Sequence, residues 1–160
     1  MKNKKIIILF LSLSFFVGLV VWFGYNFAPG SYPYAEAYEL DSSEEEVKSA
    51  INKFKQEHPE YIVPKVTISN QDSCDLSDGQ SKEPGYWYFV YFYYPQENQI
   101  ICTWTRPNGK NKTTFAFVSI NDGLNLGNWK DINKDFSYSE NKIEKKKFEE
   151  RILNKIKERL

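Results

Sequence analysis

The side chains with the readiest catalytic or metal-binding chemistry are few: His58, Cys74, Cys102 and the acids of DSCDLSDGQSKE, residues 72–83. A metalloprotease-type zinc pair needs two histidines one helical turn apart, and the chain has one histidine. His58 directly precedes Pro59 at the end of a run with helical spacing, where an imidazole interacts favourably with the helix dipole. Cys74 and Cys102 stand 28 residues apart, which matches neither a CxxC redox pair nor a clear metal site. An even cysteine count permits one disulfide in an oxidising compartment, with two unpaired thiols as the alternative. Asp72 and Glu83 fall at the first and twelfth positions of a calcium-loop frame. Cys74, Leu76 and Ser77, however, occupy the positions that need oxygen ligands and glycine. That acidic stretch therefore reads as a solvated loop. There is no GxSxG elbow and no GxxxxGK[ST] phosphate loop. The sequence thus assigns no catalytic residue, no metal ligand and no cofactor, and the expectation is a protein that is not an enzyme.

Binding chemistry is better supplied. GYWYFVYFYY, residues 85–94, places eight aromatic side chains among ten residues. Tyrosine is enriched at interfaces because its ring is rigid and apolar while its hydroxyl stays hydrated. Aromatic and β-branched residues are also good strand formers, so alternation along the strand must separate core from surface.

Three strands carry these residues: YWYFVYFYY, QIICTWTR and NKTTFAFVSI, joined by turns at Pro95–Asn98 and at Asn108-Gly109. The first turn pairs Tyr94 with Gln99, Tyr91 with Cys102 and Phe89 with Trp104. A two-residue second turn would pair Pro107 with Lys110, Trp104 with Thr113 and Cys102 with Phe115. One face then holds Trp87, Phe89, Tyr91, Tyr93, Ile100, Cys102, Trp104, Phe115 and Phe117, and is expected beneath the helices. The other, mixed in polarity, offers Tyr88, Tyr94, Thr103 and Thr105 as candidate partner-binding residues. Trp129 in LGNWKDI is a separate candidate. A one-residue slip in either turn would exchange faces on one strand.

The elements around these strands are legible too. Ser42 or Ser43, followed three residues later by Glu45 or Glu46, forms a capping box, and Val47, Ile51, Phe54 and His58 recur at helical spacing. A short strand covers KVTIS, residues 65–69, before the polar loop. A last helix spans roughly 139–159, with Phe148, Ile152, Ile156 and Leu160 on one stripe and glutamates interleaved with lysines on the solvated side. The fold class is α+β, one small two-layer domain in the order helix, four-stranded mainly antiparallel sheet, helix.

The amino terminus reads differently. Three lysines, Lys2, Lys4 and Lys5, precede the apolar run IIILFLSLSFFVGLVVWF, and acids from Glu36 onward follow it. Length and charge asymmetry predict a membrane anchor over residues 6–28, a cytoplasmic tail at 1–5, a linker at 29–41 and an extracytoplasmic domain at 42–160. The expected location is the cell membrane, single-pass, with the bilayer itself as one partner. Signal cleavage, leaving a secreted or periplasmic domain, is the alternative; the sites Ala28-Pro29-Gly30 and Ala35-Glu36-Ala37 fit it poorly. Beyond residue 35 there are 18 basic and 21 acidic residues, a mild acidity that gives no reason to expect nucleic acid.

The resulting functional expectation is a protein whose outward α+β domain binds another macromolecule, as a complex component or an antagonist. The alternative is an accessory for a small ligand or glycan, with a pocket between sheet and helices lined by Trp87, Trp104 and Phe115.

Overall fold

A computed structural model describes the backbone of residues 2–27, 32–68, 73–80 and 86–160. It divides into two compact units, Met1–Pro33 and Tyr34–Leu160. The first contains helix α1, Lys2–Phe27. Its described side chains, residues 11–24, are all exposed. Among the described residues no helix is long and apolar enough to cross a membrane. This overturns the expected anchor over 6–28 and the single-pass cell-membrane placement built on it. Ala28-Pro29-Gly30 lies outside the described residues.

The second unit is α+β but larger in strand content than expected. Its first strand, β1 (Glu36–Leu40), lies within the segment read as a linker. Helix α2 (Glu44–Glu57) follows, started by the expected capping box: Ser43 N–H donates to Glu46 Oε2 at 2.8 Å, and Glu46 N–H donates to Ser43 Oγ at 3.4 Å. His58 caps its C-terminus, its N–H donating to Phe54 O, before a 3₁₀ turn at Pro59–Tyr61.

After the short strands β2 (Val66–Ile68), β3 (Ser73–Cys74) and β4 (Gly79–Gln80) come the long ones, β5 (Tyr88–Tyr94), β6 (Gln99–Pro107) and β7 (Thr113–Asp122). Strands β8 (Asn125–Leu126) and β9 (Trp129–Asp131) precede helix α3 (Tyr138–Phe148). A π-helical turn (Glu149–Leu153) continues α3 into α4 (Asn154–Lys157). A second capping box, Ser137 with Glu140, starts this C-terminal helix.

The main sheet has six strands where four were expected. Its order is β1-β7-β6-β5-β4, with β9 pairing the far half of β7. Strands β3, β2 and β8 form a separate three-stranded sheet.

Both helices cover one face of the main sheet. Val47, Ile51 and Phe54 of α2, with Phe148, Ile152, Leu153 and Ile156 of the C-terminal helix, join Val90, Phe92, Tyr94, Ile101, Phe115, Phe117 and Ile120 in one core cluster. Phe148 sits at its centre, its ring 4.7 Å from Phe117 and 5.6 Å from Phe115. Each such fully buried side chain contributes about 1.5–3 kcal/mol. The π turn inserts an extra residue into the helical repeat. Leu153 is thus buried beside Ile152, while Leu160, expected on the stripe, is 45% exposed.

On β5 and β6 the covered face is the reverse of the one expected, whereas Phe115 and Phe117 of β7 lie beneath the helices as expected. The β5–β6 register is as read: Tyr94 opposite Gln99, Tyr91 opposite Cys102, Phe89 opposite Trp104. The β6–β7 register is not. Pro107 pairs with Thr113 across a five-residue loop, so Trp104 faces Ala116, and after a bulge between Cys102 and Thr103, Cys102 faces Ser119. An odd slip moves a strand's side chains to the opposite face relative to its neighbour. Phe115 and Phe117 therefore join Val90, Phe92 and Ile101, and the helices cover that set.

Candidate functional site

The residues proposed for partner binding separate in the structure. Thr103 and Thr105 are fully buried under the helices, and Tyr94 is 1% exposed. The threonine hydroxyls are spent internally: Thr103 Oγ1 donates to Val90 O at 2.7 Å and Thr105 Oγ1 to Glu44 Oε1 at 3.1 Å. A hydrogen-bonded hydroxyl can be buried at little cost, which is why a threonine-rich face serves as core. Tyr88 lies on the same face, packed against the core cluster with the Lys48 ammonium 4.5 Å from its ring centre. Tyr94, Thr103 and Thr105 are thus withdrawn from solvent, and Tyr88 alone of the four is partly exposed. Trp129 stands apart from them on the opposite face.

That opposite face holds the half-exposed rings. Residues paired across antiparallel strands share a face, so three rows cross the sheet. They are Phe89–Trp104–Ala116–Ala37, Tyr91–Cys102–Ser119–Asp131 and Tyr93–Ile100–Asn121–Trp129. Ile100, Cys102 and Trp104 in the middle are buried, whereas Phe89, Tyr91, Tyr93 and Trp129 are partly exposed. Phe89 and Tyr91 lie nearly parallel, with centroids 6.3 Å apart and planes 12° apart. Trp129 leans toward Tyr91 at 6.4 Å. The Tyr93 hydroxyl donates to Asn98 Oδ1 at 2.9 Å.

Two devices hold these rings in place. Asn121, fully buried, donates from Nδ2 to Gly123 O and Asn125 O and accepts at Oδ1 from Gly127 N–H and Asn128 N–H. One side chain thereby folds residues 123–128 and returns Trp129 opposite itself. Gly127, with φ of 126°, lies where an L side chain would be strained. On the other flank, Asp78 Oδ1 accepts from Tyr91 N–H at 2.9 Å and Lys55 donates to Tyr91 O at 2.7 Å. An ion pair thus occupies the sheet edge where β4 no longer reaches.

The charges at this sheet edge are paired: Asp131, in the row of Tyr91, meets Lys134 at 3.2 Å, and in the rows of the helix-side face Lys130 meets Asp122 at 2.8 Å. These bonds hold the Asp122 carboxyl below its usual range and raise both lysines. Among the described residues no three His, Cys, Asp or Glu side chains converge to hold a metal ion. Asp78 of the acidic loop is engaged by Lys55, while Asp72 and Glu83 lie outside the described residues.

The possible disulfide is not formed. Cys74 is an exposed free thiol and Cys102 a buried one. Burial pushes the Cys102 thiol up to about 12, partly offset by its hydrogen bond with Ser119. Nor is there a cavity joining Trp87, Trp104 and Phe115, because Trp104 and Phe115 belong to opposite faces.

Sequence reasoning placed Phe89, Tyr91 and Tyr93 in the core because it took Asn108-Gly109 as a two-residue turn. The polar run PNGKNK, long enough for a wider loop, was the available signal. Asn121 went unnoticed as an organiser, though the asparagine and glycine density of NDGLNLGN marks a folded loop.

No family model matches the chain, and comparison with curated proteins and with solved structures finds no similar protein.

Proposed function

We propose that the α+β unit is a binding module that engages another protein through Phe89, Tyr91, Tyr93 and Trp129. The observation that carries this reading is the asymmetry of β5. On the helix side Phe92 and Tyr94 are withdrawn from solvent and only Tyr88, at the start of the strand, is partly exposed, while all three rings on the other side, Phe89, Tyr91 and Tyr93, keep part of their surface exposed. Clustered half-exposed aromatic surface is costly to leave in water and forms the usual anchor of protein interfaces. The pairing of Lys134 with Asp131 in the row of Tyr91 favours a protein partner over nucleic acid, since among the described residues no basic stripe runs beside the rings. Recognition is by occlusion: rings desolvated on contact, hydroxyls and the Lys134–Asp131 pair setting orientation.

A photo-crosslinking side chain at position 93 should capture one discrete protein in the source cell, and the same group at Lys157 should not. The purified partner should then bind the unaltered chain and lose at least tenfold affinity for a Phe89→Ser, Trp129→Ala variant with unchanged far-ultraviolet dichroism. Equal affinity for the variant would remove the aromatic strip as the interface.

A further inference from the structure

A second candidate site lies near the end of β6, around Arg106. Arg106 stands two residues beyond Trp104 and pairs with Thr114, so its side chain belongs to the face opposite the helices. Its guanidinium carbon lies 5.1 Å from the Tyr86 ring centre and 5.7 Å from that of Trp104. Trp87 contacts both rings, 5.0 Å from Tyr86 and 6.3 Å from Trp104, so three aromatic side chains brace one another and the arginine. Beside them opens a cavity of about 300 Å³, lined by Glu44, Gln80, Tyr86, Arg106 and Pro107.

Aromatic rings attract a guanidinium through their faces and take up none of its five N–H donors. Among the described residues Arg106 has no hydrogen bond and no ion pair, although it is only partly exposed. A partly desolvated charge without a partner is unfavourable, and an anion would relieve it. The neighbouring acids are engaged elsewhere. Glu39, next along the row on β1, accepts from Thr114 Oγ1 and Asn108 Nδ2. Glu44 Oε1 accepts from Thr105 Oγ1, and Glu44 Oε2 meets Lys48 at 2.9 Å. Lys48 thus offsets the one acid in the lining. Glu45, 3.5 Å from the same ammonium, has its side chain 87% exposed and is screened by water. The described lining therefore keeps one uncompensated positive charge, which a singly charged anion matches better than a doubly charged one. The planar fork of the guanidinium fits two oxygens in a plane, the geometry of a carboxylate. The volume, at the lower end of the roughly 300–1,000 Å³ of ligand sites, admits a small group.

We propose that this cavity binds a carboxylate, its two oxygens accepting from the Arg106 guanidinium while the rest of the ligand lies against the exposed Tyr86 ring. The carboxylate comes either from a free small acid or from a glutamate or aspartate side chain of a peptide. The chemistry at the guanidinium is the same in both, and binding requires neither Tyr93 nor Trp129.

The test is a nuclear magnetic resonance titration of the full chain with acetate, acetamide, methylammonium and inorganic phosphate at constant ionic strength. Acetate should give saturable shifts in the Arg106 Nε–H and Tyr86 ring signals, roughly fivefold tighter than phosphate, and acetamide and methylammonium should not saturate. Arg106→Lys keeps the charge but loses the fork and should weaken acetate roughly fivefold; Arg106→Gln should abolish its binding, both with unchanged far-ultraviolet dichroism. Absence of saturation by acetate, saturation by acetamide, phosphate binding as tight as acetate, or an unchanged affinity in Arg106→Lys overturns the proposal. Given saturation, lactate against N-acetylglutamate N-methylamide assigns the source. Tighter binding of lactate indicates a small acid, and tighter binding of the capped residue a peptide.

Discussion

Lys55 and Asp78 meet at 2.6 Å beside the sheet edge, and together they take both backbone polar groups of Tyr91. A helix side chain and a loop side chain thus complete a strand edge that β4 covers only as far as Phe89. The arrangement also positions the central ring of the proposed interface.

Breaking that pair should be costly because both partners are largely buried. Lys55→Met leaves the Asp78 carboxylate and the Tyr91 carbonyl without their cation and should lower unfolding free energy by about 2–3 kcal/mol. Asp78→Ala should cost a similar amount, and the double variant less than the sum, with coupling of about 1 kcal/mol or more. The sharper reading is hydrogen exchange at one amide. Tyr91 N–H should lose protection in Asp78→Ala, and unchanged protection there would contradict the capping role.

The two cysteines should behave oppositely toward a thiol reagent. Cys74 is exposed, whereas Cys102 is buried and its thiol pushed up to about 12, so only Cys74 should react in the folded chain. Denaturation should expose the second thiol without reductant. Two fast-reacting thiols in the native state, or none after unfolding without reductant, would contradict the placement of Cys102 or the absence of a bridge.

Alkaline pH should destabilise the fold through buried phenols. Burial raises Tyr38 and Tyr94 well above their ordinary range, helped at Tyr38 by the Glu149 carboxylate, and burial also raises Tyr61. Groups with raised folded pKa contribute stability that is fully present below the unfolded value near 10 and is lost as pH rises beyond it. Lys55 has the opposite sign: burial lowers it, so its penalty is present below its folded pKa and disappears as pH rises past about 10.5. Three phenols should outweigh one ammonium. Urea midpoints should fall as pH rises above about 10, and Tyr94→Phe should flatten the decline. A flat profile, with every tyrosine titrating near 10 in the folded chain, would exclude these buried positions.

What the sequence determined by itself was whatever a few neighbouring residues settle. Ser43 and Glu46 begin α2, and Pro59 ends it after His58. Phe148, Ile152 and Ile156 mark the buried stripe of the C-terminal helix. The turn at Pro95–Asn98, with Asn98 at φ of 52°, sets the β5–β6 register. Each rests on capping, periodicity or turn chemistry that acts within a few residues.

Tertiary structure alone decided which face of β5 meets the helices. Alternation splits Phe89, Tyr91 and Tyr93 from Val90, Phe92 and Tyr94, but both sets are apolar enough to be core. The choice came from the wide loop after Pro107 and the bulge beside Cys102, which bring Phe115 and Phe117 to one side. It came also from β1, whose Tyr38 reaches Glu149 across 111 residues at 3.1 Å. Pairings of that range leave no local trace, because their energy appears only once distant segments have met. The same long-range offset buried Thr103 and Thr105 and left Phe89, Tyr91 and Tyr93 as the open rings.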